Sequence, residues 1–88
     1  MSKLAWYEKA WRDYCEWQNQ DKKTLKKINK LLDDIQRNGY QGIGSPEPLK
    51  DDLSGCWSRK IDEKNRLVYT MENDTIFILQ CGSHYGDK

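Results

Sequence analysis

Hydrophobic residues near the N-terminus recur with a helical period. Over "YEKAWRDYCEWQ", an apolar arc lies opposite an arc of charged side chains. The apolar arc contains Tyr7, Ala10, Trp11, Tyr14, Cys15 and Trp17. This spacing predicts an amphipathic helix with an aromatic buried stripe. The preceding "KLAW" alternates polar and apolar positions, which predicts a short strand.

A second amphipathic helix is predicted over "DKKTLKKINKLLDDIQRNG". Asp21 is suited to cap its N-terminus, Arg37 falls in its last turn, and Asn38-Gly39 provides a left-handed stop. The apolar side holds Leu25, Ile28, Leu31, Leu32 and Ile35, and the basic side holds Lys22, Lys23, Lys26, Lys27 and Lys30. The short connection between the helices predicts an antiparallel helical hairpin.

The second half of the chain has the pattern of strands. Residues 40–55 contain both prolines and lack periodicity, which predicts a loop, with a short extended piece around Leu49. Strands are predicted at 56–61, 66–71 and 75–81, and the short connections "DEKN" and "END" indicate an antiparallel meander. The last strand is apolar on both faces, so we expect it inside the sheet.

These elements predict an α+β fold, with the helical hairpin packed on one face of a small, mainly antiparallel sheet. The length of 88 residues predicts a single domain spanning 1–88.

The meander also predicts which side chains share a face. If "DEKN" forms the first loop, Ile61 faces Arg66 and Arg59 faces Val68; the next loop then brings Arg66 near Gln80. Alternation predicts that the helices cover Leu67, Tyr69, Phe77, Leu79 and Cys81. The other face would carry Trp57, Arg59, Arg66, Val68, Ile78 and Gln80. This arrangement predicts a cationic surface with His84 emerging near Arg66, although a one-residue slip would reverse the faces.

Composition and charge narrow the class of protein. The formal net charge of +1 predicts neither nucleic-acid nor membrane binding by itself. No apolar run approaches the roughly 18 residues of a membrane span, and charges interrupt the N-terminus too early for a secretory signal. The three cysteines are far apart and lack metal-ligand spacing, which favours reduced thiols in the cytosol and no metal site.

Few residues are candidates for chemistry, and each has a plainer interpretation. His84 is the only histidine and could be a solvated residue of the tail. Arg59 and Arg66 could form surface salt bridges, and Glu47, held between two prolines, could simply be solvated. Together, a carboxylate, a histidine and an arginine could provide a base, an acid and a charge stabiliser for phosphoryl transfer. RNA carries its own nucleophile, the 2′-hydroxyl, so such a set could cleave RNA without metal.

The lysines of the second helix also allow two interpretations. They can form the solvated face of an amphipathic helix, or they can neutralise nucleic-acid phosphates without recognising sequence.

The stretch "GSPEPLKDDLSGCWSRKIDEKNRLVYTMENDTIFILQCGSHY" resembles the YoeB (Txe) family of bacterial toxins within the RelE superfamily. The matching features are "PEPLK", the "LSG-W-SR-I" pattern, "RLVY" and a terminal "HY", in the family order and spacing. Upstream, Trp6, the aromatic first helix and the "DKK---KKIN-L--D" pattern also match, so the resemblance covers nearly the whole chain.

The resemblance implies a RelE-like fold and the toxin of a type II toxin–antitoxin pair. Members of this family are ribosome-dependent endoribonucleases that cut mRNA in the A site and inhibit translation. The implied partners are a YefM-type antitoxin, the ribosome with its mRNA, and a second copy in a homodimer. Operator DNA is expected only together with the antitoxin, the location is cytoplasmic, and no cofactor is implied.

The resemblance also implies roles for individual residues. Glu47 matches the proposed general base, Arg66 the arginine that stabilises the transition state, and His84 the general acid. Tyr85 matches a tyrosine that orients substrate. Lys50 and Arg59 fall at positive positions that hold phosphate.

Two departures from the family pattern concern the tail. Gly82 and Ser83 replace larger residues, one of them basic, and residues 86–88 follow the tyrosine. Two further hypotheses stay open at this stage: a non-catalytic inhibitor that occupies the ribosome, and a repressor that binds DNA alone. No helix-turn-helix signal supports the second.

Overall fold

A computed structural model describes residues 2–82 of the chain. Two α-helices pack on one face of a five-stranded sheet, as the sequence predicts for the fold class. The elements in chain order are β1 (Lys3–Trp6), α1 (Glu8–Gln20), α2 (Lys22–Asn38), β2 (Glu47–Pro48), a 3₁₀ turn (Asp51–Leu53), β3 (Trp57–Lys60), β4 (Arg66–Glu72) and β5 (Thr75–Gly82).

The helical hairpin forms where the sequence places it. The carboxylate of Asp21 accepts hydrogen bonds from the backbone N–H groups of Lys23 and Thr24, which confirms the predicted cap. Gly39 ends α2 with a positive φ of 66°. Tyr14 Oη donates to Asn29 Oδ1 at 2.7 Å, so the chain folds back on itself across the single connecting residue. Within residues 2–82, neither helix is long and apolar enough to cross a membrane.

Over residues 2–82 the sheet has the order β1-β5-β4-β3-β2, and only the β1–β5 pair among these strands is parallel. The predicted N-terminal strand is therefore confirmed, as is the position of β5 inside the sheet. The predicted loop contains a two-residue strand, because Glu47 pairs with Ser58 and Pro48 with Trp57.

The core lies between the helices and one face of the sheet. Ile28, Leu31 and Ile35 of α2 are fully buried against it. The aromatic stripe of α1 is buried only in part: Tyr7 and Trp11 are 54% and 48% exposed, so the prediction that they face the core is wrong. They lie near the start of α1, where Trp6 and Tyr14 cover one side of Trp11.

The predicted register of the first hairpin is wrong by one residue. Lys60, not Ile61, pairs with Arg66, and Arg59 pairs with Leu67. The loop is longer than expected because the Asp62 carboxylate accepts hydrogen bonds from the N–H groups of Lys64 and Asn65 and holds a wider turn. The side-chain period of a strand is two, so this slip moves Trp57 and Arg59 to the other side of the sheet. They leave the face opposite the helices, which we call the uncovered face, and join the face on which the helices pack, which we call the helix face.

The predicted faces of β5 are also partly wrong. Tyr69 pairs with Ile78 whereas Val68 pairs with Gln80, so Leu79 is an extra residue in a β-bulge. The predicted "END" loop is one residue too long, because Glu72 pairs with Thr75 around a turn of Asn73 and Asp74. Ile76 and Ile78 therefore enter the core in place of Phe77 and Leu79. Beyond the bulge the alternation is restored, and Cys81 is buried in the core as predicted.

Candidate functional site on the uncovered sheet face

The sheet face opposite the helices carries a row of paired residues. Glu47 pairs with Ser58, Ser58 with Val68, and Val68 with Gln80. Directly paired residues of neighbouring strands project on the same side. Glu47 is exposed in this row, whereas Ser58 and Val68 are buried.

A second row lies two residues further along the strands. Lys60 pairs with Arg66, and Arg66 pairs with Gly82. Glu47 and Arg66 are thus two strands and two residues apart, about 12 Å between Cα atoms from standard sheet spacings. Long side chains at this separation can converge on a group between them the size of a phosphate. Arg66 therefore lies on the uncovered face, as predicted.

Arg66 is held by the loop that precedes it. Its Nη1 donates to the carbonyl of Asp62 at 2.7 Å and to that of Asn65 at 3.1 Å. Burial raises the pKa of the Asp62 carboxyl, but hydrogen bonds from Asn65 and Lys64 and the charge of Arg66 outweigh burial, so the pKa falls below 3.8. Arg66 is thus a partly exposed cation with an ionised acid near it.

Glu47 and Lys50 border an open hollow of about 480 Å³ lined by residues 47–53. Both side chains are exposed. The hollow also includes Asp51 and Asp52, so Lys50 contributes its positive charge to a mixed surface rather than to a basic patch.

Arg59 lies elsewhere, and the prediction that it belongs to the cationic surface is wrong. Its side chain is 0% exposed on the helix face. All five of its N–H donors have acceptors: the Asp34 carboxylate, the Tyr69 hydroxyl, and the carbonyls of Gly39, Gln41 and Ile43. No donor is left for a phosphate.

Arg59 shifts the pKa values of the two titratable side chains that it contacts, Asp34 and Tyr69. The hydrogen bond from Arg59 is the main cause that lowers the pKa of Asp34 below its ordinary value of 3.8. Burial raises the pKa of Tyr69 above 10.0, and the bond from Arg59 opposes that rise in part. Asp34 and Arg59 therefore form an ion pair near the end of α2.

Two predicted site residues, His84 and Tyr85, lie outside the described residues. The backbone that leads to them is placed up to Gly82, beside Arg66. Among residues 2–82, no group of three His, Cys, Asp or Glu side chains could hold a metal ion.

Sequence reasoning missed Lys60 and Asp34. If the "IDEKN" loop is counted as five residues, Lys60 pairs with Arg66. The signal in the sequence for this longer loop was the Asp–x–x–Asn spacing, which is typical of an Asx turn. Asp34 lies toward the C-terminal end of α2, where the helix dipole disfavours an acid. That mismatch indicates a partner outside the helix.

Known proteins resemble nearly the whole chain. Residues 6–85 match the family described as "YoeB-like toxin of bacterial type II toxin-antitoxin system". Toxin YoeB of Escherichia coli K12 is 51% identical over 83 residues, covering 94% of this chain and 99% of that protein.

Two solved structures from Staphylococcus aureus share the fold. The toxin in a heterotetrameric YoeB–YefM complex superposes with a TM-score of 0.89 at 45% identity, covering 97% of this chain and 99% of that one. A YoeB dimer superposes with a TM-score of 0.88 at 46% identity, covering 96% and 98%. With the family match and the identity to the E. coli protein, they show that the chain belongs to the YoeB family of toxins of bacterial type II toxin–antitoxin systems.

Proposed function

We propose that this toxin is an endoribonuclease that cuts mRNA in the ribosomal A site and thereby stops translation. The observation that carries the proposal is the shared face of Glu47, Lys60 and Arg66, with the backbone of Gly82 paired to Arg66. A carboxylate and two cations on one face, with Gly82 paired to Arg66, suit a phosphodiester whose backbone crosses the sheet.

The reaction needs no external nucleophile. The Glu47 carboxylate removes the proton of a 2′-hydroxyl, and that oxygen attacks the adjacent phosphorus. The bond from phosphorus to the 5′-oxygen breaks, and His84 gives a proton to the departing oxygen. The products are a 2′,3′-cyclic phosphate and a 5′-hydroxyl. Since the side chains supply base, acid and counter-charge, the proposed step is independent of metal.

The cations have separate tasks in this proposal. Arg66 stabilises the negative charge that grows on the phosphoryl oxygens, where a preorganised cation has its largest effect. Lys50 and Lys60 hold flanking phosphates, and Tyr85 orients the substrate. Arg59 is removed from the RNA-binding set because its guanidinium is buried and fully hydrogen-bonded.

The partners follow from the relatives. The S. aureus YoeB proteins form a complex with YefM and a dimer. We propose that this chain likewise binds a YefM-type antitoxin, forms a homodimer, and contacts operator DNA only together with the antitoxin. It would act in the cytoplasm, where translating ribosomes are.

The test uses purified ribosomes programmed with a short mRNA and an empty A site. Wild-type toxin should give discrete cuts with cyclic-phosphate and 5′-hydroxyl ends. Glu47→Gln and His84→Gln should each lower the single-turnover rate by about 10²-fold or more, the range for a positioned acid or base. Glu72→Gln, the same change at an exposed position at the far end of β4, is the matched control and should cleave normally.

Other outcomes would contradict the proposal. Arrested translation with intact mRNA would indicate a non-catalytic inhibitor. Full activity in both Glu47→Gln and His84→Gln would remove the acid–base assignment. Cleavage that stops under a chelator treatment that leaves the ribosome intact would contradict the metal-independent step.

A further inference from the structure

The segment that leads from α2 to β2 is tied to Arg59 through its backbone. Arg59 Nη2 donates to the carbonyls of Gly39 and Gln41, both at 2.8 Å, and Nη1 donates to that of Ile43 at 3.0 Å. Three alternate carbonyls of residues 39–43 thus converge on one guanidinium. We call residues 39–44 the Arg59-bound loop.

Hydrogen bonds to residues other than Arg59 also hold the Arg59-bound loop in place. The Asp34 carboxylate accepts from the backbone N–H of Ile43 at 3.1 Å as well as from Arg59. The Tyr69 hydroxyl donates to the Gly39 carbonyl at 3.0 Å. At the end of the loop, the N–H of Lys60 donates to the Gly44 carbonyl at 2.7 Å. The loop is therefore fixed to α2, β3 and β4 together.

This fixation matters because β2 is too short to fix its own position. The strand has two residues, and Glu47 is one of them. Anchors flank it on both sides: the Lys60–Gly44 bond precedes it by three residues, and the N–H of Leu49 donates to the Cys56 carbonyl at 2.9 Å after it. Three residues of chain span at most about 10 Å, so a shift of the loop is passed to Glu47.

We propose that Asp34 and Arg59 are positioning residues that hold Glu47 at the reaction site through the Arg59-bound loop. The inference rests on the proposed function, in which Glu47 is the general base. The ion pair lies on the helix face and does not touch substrate in this arrangement. It acts by keeping the backbone of residues 39–44, and so that of β2, in one place.

The guanidinium suits this task better than an ammonium group. Its planar fork has five donors in fixed directions, and here each meets an acceptor. Asp34 balances the charge, so that the buried cation is paired.

Gly42 provides a way to disturb this arrangement without removing a charge. A Cβ at Gly42 would clash with Asp34 Oδ2 and lie 3.2 Å from Arg59 Nη1, at a φ of +129°. Gly55 is a matched control, because its φ is also positive at +96° but a Cβ there meets nothing within 4 Å. Both alanine variants strain the backbone, and only Gly42→Ala pushes the loop away from the ion pair.

The first measurement is amide hydrogen exchange of the free toxin, followed by mass spectrometry. In Gly42→Ala the amides of Ile43 and Lys60 should lose protection, since their acceptors are Asp34 and Gly44. The amides of the β4–β5 hairpin should stay protected, which shows that the protein is folded. Gly55→Ala should leave the amides of Ile43 and Lys60 unchanged.

The second measurement is cleavage on programmed ribosomes. Gly42→Ala should lower kcat by about 10- to 100-fold, because a misplacement of about 1 Å can cost up to about 100-fold in rate. Its KM should stay within about two-fold, because Lys60 and Arg66 still hold the substrate; an overall loss of structure would reduce active protein instead. Arg59→Lys should show the same split between kcat and KM.

A double variant decides whether the effect passes through Glu47. If it does, Gly42→Ala combined with Glu47→Gln should cleave as slowly as Glu47→Gln alone, within about two-fold. If the double variant were slower than Glu47→Gln by the full factor that Gly42→Ala causes alone, the inference would be wrong. It would also be wrong if Gly42→Ala had a normal kcat although the amides of its Arg59-bound loop exchange rapidly. Failure of the proposed function is distinguishable: Glu47→Gln alone would then cleave at the wild-type rate, which removes any base to be positioned.

Discussion

Arg59 and Arg66 lie on neighbouring strands of one hairpin, yet their surroundings are opposite. Arg59 is 0% exposed and uses every donor inside the protein. Arg66 is partly exposed, and its side-chain bonds to described residues run from Nη1 to loop carbonyls. The first arginine organises backbone, and the second presents charge to the face where we place the substrate.

The comparison shows how little of an arginine's role depends on its residue type. Arg59 faces the helices because the Asx turn at Asp62 lengthens the loop by one residue. With the shorter loop, Arg59 would have shared the uncovered face with Arg66. A shift of one residue in the pairing of β3 with β4 is thus enough to turn a surface arginine into a buried, structural one.

The largest expected effect on stability separates the two arginines directly. Arg59→Met should lower the free energy of unfolding by about 3–5 kcal/mol, because Asp34 and three carbonyls lose their partner. Urea denaturation at pH 7 measures this change. Arg37→Met is the control, since its pair with Asp33 is largely exposed, and it should cost less than about 0.5 kcal/mol. Equal losses in both variants would contradict the structural role of Arg59.

Arg66 should show the reverse pattern. Arg66→Ala should slow cleavage by about 10²- to 10³-fold, the effect of removing one preorganised charge stabiliser. The free energy of unfolding should change by no more than about 1 kcal/mol, because the lost bonds are at the surface. Arg12→Ala, which removes an exposed arginine on α1, should alter neither quantity. If Arg66→Ala lost activity only because the protein unfolds, Arg66 would have a structural role like that of Arg59, and the proposed difference between the two arginines would be wrong.

The Asp34–Arg59 pair should also give a pH dependence to stability. The folded pKa of Asp34 is depressed, so its contribution is fully present above the ordinary value of 3.8 and is lost as the pH falls through the folded value. The difference in unfolding free energy between the wild-type chain and Asp34→Asn should therefore shrink below a pH of about 4. Urea titrations between pH 7 and pH 3 measure it. A constant difference would show that the charge of Asp34 is unimportant.

The smallest effect tests Lys60, the residue paired with Arg66. Lys60→Ala should raise KM about five-fold, or ~1 kcal/mol, with kcat nearly unchanged. The dependence of binding on salt should also weaken, as expected when one phosphate contact is removed. Lys64→Ala, in the adjacent loop, is the control and should have no effect. Identical KM values for the two variants would remove Lys60 from the RNA-binding surface.

Much of the fold could be predicted because its signals are local. The aromatic and leucine-rich periods, the Asp21 cap and the Gly39 stop depend on neighbours in sequence, and the structure confirms the helices they predict. The inner position of β5 followed from its apolar composition. The errors in strand faces concern Trp57, Arg59 and the Phe77–Leu79 segment, where two loop lengths and a bulge changed the parity of a strand. A further error is the exposure of Tyr7 and Trp11, which the helical period placed in the buried stripe.

The candidate site divides in the same way. The residue types at Glu47, Lys50, Arg66, His84 and Tyr85 came from motifs that match the family, and their roles remain part of the proposal. Lys60 was missed and Arg59 was misplaced because alternation is informative only when the register is known.

The sequence by itself determined which segments form helices and strands and which toxin family the chain resembles, because short-range periods and motif order carry that information. Only the tertiary structure decided which arginine is buried, which lysine lies beside Arg66, and how Asp34 reaches a loop beyond its helix. The Asp34–Arg59 contact joins residues that are 25 apart in the chain, and no local pattern specifies it. The register that buries Arg59 and places Lys60 beside Arg66 follows from the turn at Asp62, whose Asp–x–x–Asn spacing is local but does not by itself fix the length of the loop.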